Sequence, residues 1–123
     1  MAHQKLTVDQ IRRIEEIEEF QRAAHHLKRL VTELEANRAG QTRTIQQLTE
    51  KISNEASQMR QRALTANVGT IADVAGTMSV MASRGGGINM KVRALGDAVS
   101  NLFMQLDVAM KHATTPPEPK KPA

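Results

Sequence analysis

Three consecutive glycines, Gly85–Gly87, stand directly before a helical pattern, and their residue type could bind a phosphate. Backbone amides of a glycine-rich turn at a helix N-terminus attract anions, and Arg84, Lys91 and Arg93 would add positive charge. However, the stretch lacks the Gly-Lys-Ser/Thr ending of a P-loop, and Ile, Asn and Met follow the glycines where a dinucleotide fingerprint needs another Gly. We therefore interpret Gly85–Gly87 as a hinge between two helices.

Metal binding and acid–base catalysis are the other chemistries that the residue types suggest. His25 and His26 are adjacent, so on a helix they point about 100° apart and cannot hold one metal ion together. The glutamates within 15–19 are typical of a solvated, salt-bridged helix face. Because the chain has no cysteine, thiol nucleophiles and zinc–thiolate sites are excluded. The sequence predicts neither an enzyme nor a metal or cofactor site.

The charge balance leaves a nucleic-acid partner open as an alternative. The 123 residues carry a formal net charge of +4, which permits phosphate binding without requiring it. The chain has two Phe and no Tyr or Trp, so it lacks the aromatic platforms on which single strands stack. Phosphate contacts in this alternative would come from six basic residues, Arg60, Arg62, Arg84, Lys91, Arg93 and Lys111.

Hydrophobic periodicity of about 3.6 residues predicts an all-α fold built from three helices that must position these groups. Thr7 and Gln10 have the spacing of a capping box at the start of the first helix. Thr44 with Gln47, or Thr42 alone, is the predicted cap of the second helix, which we expect to be continuous despite Gly69 and Gly76. The predicted helices cover 7–38, 42–83 and 88–113.

The third helix has the most regular pattern, with Val92, Leu95, Val99 and Leu102 spaced alternately three and four residues apart. This spacing is typical of a coiled coil or of a well-ordered bundle core. We expect an elongated helical hairpin or three-helix antiparallel bundle with coiled-coil character, forming one domain over 1–113. The proline-rich segment 114–123 is predicted to be a disordered or polyproline-type tail.

Folding three such helices back on one another predicts a partner chain. All three would lie side by side near 7–23, 57–73 and 97–113, whereas 24–56 would form a two-helix arm. A lone helix pair buries little apolar surface, so we expect a second chain on the arm. Met90 and Met104, on the outer face of the third helix, are a further candidate contact. The predicted interface residues are Leu27, Val31, Leu34, Ile45, Leu48, Ile52, Met90 and Met104.

These observations favour a non-enzymatic helical module that self-associates and binds protein partners as a scaffold, adaptor or chaperone. The alternative is a basic helical nucleic-acid-binding accessory protein. A weaker alternative is membrane-surface association through 63–82, but Asp73 and the neighbouring polar residues make this segment too polar for a lipid-facing span. The N-terminus shows no signal-peptide pattern, so we expect a cytoplasmic protein, with signal-less export left open.

Overall fold

The computed structural model describes residues 6–115, and this part of the chain is all-helical. The prediction of an all-α fold is confirmed, but the described residues form four helices rather than the three predicted from the sequence. Their bounds are α1 Val8–Ala36, α2 Thr42–Thr65, α3 Gly69–Ser83 and α4 Ile88–Thr114.

The four helices pack as an antiparallel bundle in which each helix lies beside two others. α1 and α3 each pack against both α2 and α4. Within residues 6–115, the diagonal pairs α1–α3 and α2–α4 show no close backbone approach. The groove between α1 and α2 and the groove between α3 and α4 therefore open on opposite sides of the bundle.

The continuous second helix predicted over 42–83 is wrong, because the chain reverses direction at residues 66–68. Asn67 has φ 63°, in the left-handed region, which ends α2 and directs the chain into α3. Asn enters this region more readily than most residues because its short polar side chain can bond locally. The amide of Val68 also donates to the carbonyl of Ala63 (2.8 Å), a helix-terminating bond beyond the usual four-residue step.

The register of α2 against α3 is marked by paired serines. The hydroxyl of Ser53 donates to the carbonyl of Ser79 (3.2 Å), and the hydroxyl of Ser79 donates to the carbonyl of Ser53 (3.2 Å). Gly76, one turn before Ser79 on α3, lies beneath Arg60. The Cδ of Arg60 is 3.0 Å from the position of a Cβ added at Gly76. Small residues thus allow these two helices to approach closely.

Because of the chain reversal, the four helices pack together at the end of the molecule that was predicted to have only two. Residues 24–56, predicted to form a two-helix arm, lie where α3 and α4 complete the bundle. At the other end, Arg13 Nη1 donates to the carbonyl of Ala66 (2.6 Å), so the residues of α1 before Arg13 extend past the end of α2. Ile11, in this extension of α1, is 48% exposed.

The helix ends agree with the sequence in some places and differ in others. The capping box is confirmed: Thr7 Oγ1 accepts from the amide of Gln10 (3.1 Å), and Gln10 Oε1 accepts from the amide of Thr7 (2.9 Å). The predicted caps of the second helix are wrong, because Gln41 is the N-cap and makes no side-chain capping bond. Of the predicted tail, Thr114 ends α4, and 116–123 lie outside the described residues.

The core is aliphatic, and α4 contributes the regular pattern predicted for it. Val92, Leu95, Val99 and Leu102 are all buried, although a coiled coil as such stays a prediction. The α3–α4 turn contains Gly86 at φ +137°, where a side chain would be strained, so this turn requires glycine. No helix among the described residues has the length and apolar character needed to cross a membrane.

Candidate protein-binding groove

An open groove of about 640 Å³ runs between α1 and α2 along one side of the bundle. We call it the α1–α2 groove. Its α1 wall extends over about two turns and its α2 wall over about three turns, at 3.6 residues a turn. The residues that line it are Glu16, Glu19, Phe20, Ala23, Glu55, Gln58, Met59, Gln61, Arg62, Thr65 and Ala66.

The floor of the α1–α2 groove is apolar. Phe20 and Met59 belong to the bundle core and are only 5% and 2% exposed, and Ala23 and Ala66 are half-buried beside them. Because Ala23 and Ala66 are small, the two helices leave the space above Phe20 and Met59 unfilled. An apolar side chain entering the groove would therefore lose water contact on several sides, which is the main source of favourable binding energy in such sites.

The rim of the α1–α2 groove is acidic, although the whole chain is basic. Glu16, Glu19 and Glu55 line it together with a single arginine, Arg62, so carboxylates outnumber cations three to one. This sign is opposite to the formal charge of +4 on the chain. Charged rims of this kind select partners of opposite charge more than they add affinity.

Two of the rim carboxylates have partners from α1. Glu16 Oε2 lies 3.5 Å from Arg13 Nη1, and Glu55 Oε1 lies 2.7 Å from His26 Nε2. The contact between Glu55 and His26 joins α2 to α1 at one end of the groove. The bond from Arg13 to Ala66 joins them at the other end. The groove thus lies between two contacts that join α1 to α2.

The lining of the α1–α2 groove combines apolar and charged groups. Among residues 6–115, no three side chains of His, Cys, Asp or Glu come together in a way that could hold a metal ion. Each lining carboxylate is at least one-third exposed. The groove therefore offers an apolar contact bordered by solvent-accessible charges.

The structure places most of the predicted interface residues inside the single-chain core. Ile45 is half-buried against this core. Because α3 and α4 cover these positions, 24–56 do not form an uncovered two-helix arm that would require a second chain. The fully or almost fully buried members of the set are Leu27, Val31, Leu34, Leu48 and Ile52.

The two predicted methionine contacts are exposed. Met90 is 79% exposed and Met104 is 62% exposed, and Val108, one turn beyond Met104, is 46% exposed. Met90 and Met104 are 14 residues apart on α4, or roughly 21 Å at 1.5 Å per residue, so they do not form one patch. Met104 and Val108 do lie on one face, because they are four residues apart.

The six basic residues of the alternative hypothesis are distributed over several surfaces. Arg60 and Arg84 line a hollow along α2 and α3, and Arg84 and Lys91 line the next hollow beside the glycine turn. Arg62 instead lies in the acidic α1–α2 groove. Arg93 and Lys111 are exposed on α4 outside these hollows. Only three of the six are therefore brought near one another.

The α1–α2 groove was not predicted from the sequence, and the reason is the missed chain reversal. If 42–83 were one continuous helix, nothing in the sequence would indicate an open groove above Phe20 and Met59. Asn67 followed closely by Gly69 is a turn signal that would have divided this segment. With 42–83 divided at Asn67 into α2 and α3, the acidic face of α1 borders an open groove.

Comparison with known proteins found no relative whose functional residues could be mapped onto this chain. No family model matches the chain, and neither the curated proteins nor the solved structures contain a significant match.

Proposed function

We propose that this chain is a non-enzymatic protein-interaction module and that the α1–α2 groove is its binding surface. The observation that supports this most directly is the combination of an unfilled apolar floor, formed by Phe20 and Met59, with an acidic rim. A site of this composition accommodates an apolar anchor and pairs with basic residues beside it. A scaffold or adaptor role follows from binding of this kind.

The partner surface is a helix with a short apolar face and at least one basic side chain. The groove is open and elongated, as in helix-in-groove recognition, in which anchors repeat at every third or fourth residue. Ala23 and Ala66, half-buried above Phe20 and Met59, provide the apolar contact for such anchors. Glu19, for which the structure shows no ion pair among residues 6–115, is available to a cation. Binding would be weaker at high salt, because exposed charges are screened.

The test uses a groove variant, Glu19→Lys with Gln58→Lys, in which two exposed lining residues change the rim from acidic to basic. The matched control is Glu18→Lys with Gln47→Lys, which makes the same charge change at exposed positions outside the groove. Both variants keep good helix formers at every position. Each protein is immobilised and exposed to an extract of its native cells, and the retained proteins are identified.

We expect the wild type and the control variant to retain at least one protein that the groove variant does not retain. This protein can be another copy of the chain. Retention of the same proteins by all three would contradict it. Circular dichroism of each variant establishes that the helical fold is intact. Loss of binding then reports on the α1–α2 groove and not on unfolding.

A second candidate function is phosphate or nucleic-acid binding along α2 and α3. It is favoured by Arg84, which lines two adjacent hollows and so connects Arg60 with Lys91. Duplex DNA titrated at increasing salt tests it, since each phosphate contact contributes close to one unit of salt slope. Arg60→Gln with Arg84→Gln would reduce both the affinity and the slope. Equal binding by the variant and the wild type would contradict this candidate.

A further inference from the structure

An exposed stripe on α4 has the composition that the α1–α2 groove requires. Met104, Val108 and Lys111 are spaced at i, i+4 and i+7, so they lie on one face of the helix. All three are exposed, Met104 by 62% and Val108 by 46%. We call them the α4 stripe. This is the anchor spacing of a helix that binds in a groove, and it ends in a basic residue.

The α4 stripe lies on the outer face of α4. Leu106, two residues before Val108, is fully buried in the core, and residues two apart on a helix point about 160° apart. Met104 stands in the same relation to the buried Leu102. Both apolar side chains of the stripe therefore point away from the bundle, and neither lines the hollow between α3 and α4.

The stripe and the groove match in length, polarity and charge. From Met104 to Lys111 the helix rises roughly 10 Å at 1.5 Å per residue, which is the length of the α1 wall of the groove. Met104 and Val108 offer apolar side chains for the floor, and Lys111 offers a cation for the acidic rim. Asp107, beside Lys111, offers a carboxylate for Arg62, the one cation among the lining residues.

From this match we propose that the occupant of the α1–α2 groove is the α4 stripe of a second copy of this chain. The inference rests on the proposed function, whose groove it assigns to a specific partner. The groove opens between α1 and α2, whereas the stripe points outward from α4, so the two surfaces face well-separated directions and two copies cannot exchange the same contact reciprocally. The contact is heterologous, and each bound copy presents a free groove at one end and a free stripe at the other.

This geometry predicts head-to-tail growth rather than a closed two-fold dimer. Only a few side chains meet at each contact, so the interface is small and its Kd is roughly micromolar or weaker. The mass measured by sedimentation should rise with protein concentration and pass that of two chains. Solutions up to about 1 mM cover the range expected of so small an interface.

The experiment combines two complementary variants of the full chain. The groove variant, Glu19→Lys with Gln58→Lys, keeps the stripe, and a stripe variant, Met104→Glu with Val108→Glu, keeps the groove. The control for the stripe variant, Asn89→Glu with Met90→Glu, adds the same charges at exposed positions at the other end of α4. Each protein is measured alone by sedimentation, and the groove and stripe variants are then mixed in equal amounts.

We expect each variant alone to self-associate at least about tenfold more weakly than the wild type, because like charges then meet at the contact. The equimolar mixture should form a pair of two chains and grow no further, since only one intact groove and one intact stripe meet. The two control variants should self-associate as the wild type does.

The proposal is overturned if the wild type stays monomeric at every concentration, if its mass stops at two chains, or if the mixture forms no pair. A monomeric wild type that still retains another protein through its groove would overturn the second copy as the occupant and leave the proposed function standing. A monomeric wild type with no groove-dependent retention would overturn both.

Discussion

Single residues determine where this chain turns and how closely its helices approach. Asn67 holds a left-handed backbone conformation between α2 and α3. Gly76 gives α3 a thin face against which Arg60 lies. Both residues are small or polar in a segment that otherwise reads as one apolar helix, and each therefore has a measurable effect on the stability of the fold.

At Asn67, the identity of the side chain should control the stability of the α2–α3 reversal. Asn67→Val places a β-branched residue at φ 63° and should lower the free energy of unfolding by about 1–2 kcal/mol. Asn67→Gly should change it by less than about 0.5 kcal/mol, because Gly adopts this conformation without strain. Urea unfolding followed by circular dichroism measures both. Equal stability of the two variants would contradict a left-handed residue here.

At Gly76, an alanine should stabilise the protein by up to about 1 kcal/mol, the difference in helix propensity between the two residues. The added Cβ would lie 3.0 Å from Arg60 Cδ, in the flexible part of an exposed side chain that can move aside. Thermal unfolding measures the gain. A loss of stability in Gly76→Ala would mean that the position of Arg60 over Gly76 is itself an important contact.

At the scale of the helices, part of the fold could be predicted from the sequence. The capping box at Thr7, the buried pattern of α4 and the Gly85–Gly87 turn were all predictable, because local chemistry determines them. The reversal at Asn67 was missed because Val68, Ile71 and Val74 continue the apolar spacing of α2 across the turn. Periodicity alone does not distinguish one long helix from two helices that share it.

The same error explains why the candidate site could not be predicted. A groove exists only where two neighbouring helices leave space above a shared floor, and that depends on which helices are neighbours. The sequence identified the acidic face around Glu16 and Glu19 as solvated, which agrees with its position at a rim. The predicted hairpin already places 57–73 beside 7–23, but the sequence did not indicate which side of this helix pair would stay open.

The burial of the predicted interface residues gives a prediction for α1. Leu27 is fully buried in the single-chain core, so Leu27→Ala should lower the free energy of unfolding by about 2–5 kcal/mol. Among the molecules that stay folded, the concentration dependence of the mass should be unchanged. Denaturant unfolding and light scattering measure the two quantities. A folded Leu27→Ala protein that no longer self-associates would restore Leu27 as an interface residue.

At the scale of the whole molecule, one bundle carries two separate and complementary surfaces. The α1–α2 groove has an apolar floor and an acidic rim, and the α4 stripe has two apolar side chains and a lysine. Neither surface is covered within residues 6–115. Under the proposed assembly, each copy therefore binds one neighbour through its groove and another through its stripe.

Salt should act differently on folding and on assembly. The core is apolar, so the free energy of unfolding should change little between 0.05 and 0.5 M salt. Self-association should weaken over the same range, because its charge pairs are exposed and screened. Thermal unfolding and sedimentation at about these two salt concentrations separate the effects. Assembly that strengthens with salt would indicate a purely apolar contact without pairing between Lys111 and the groove.

The most direct measurement is the light-scattering mass of the wild-type protein across a concentration series, with the groove variant beside it. The account predicts that the wild-type mass rises continuously beyond two chains, whereas Glu19→Lys with Gln58→Lys stays close to one chain at the same concentrations. A wild type that keeps the mass of one chain throughout, or a groove variant that assembles equally well, would contradict it.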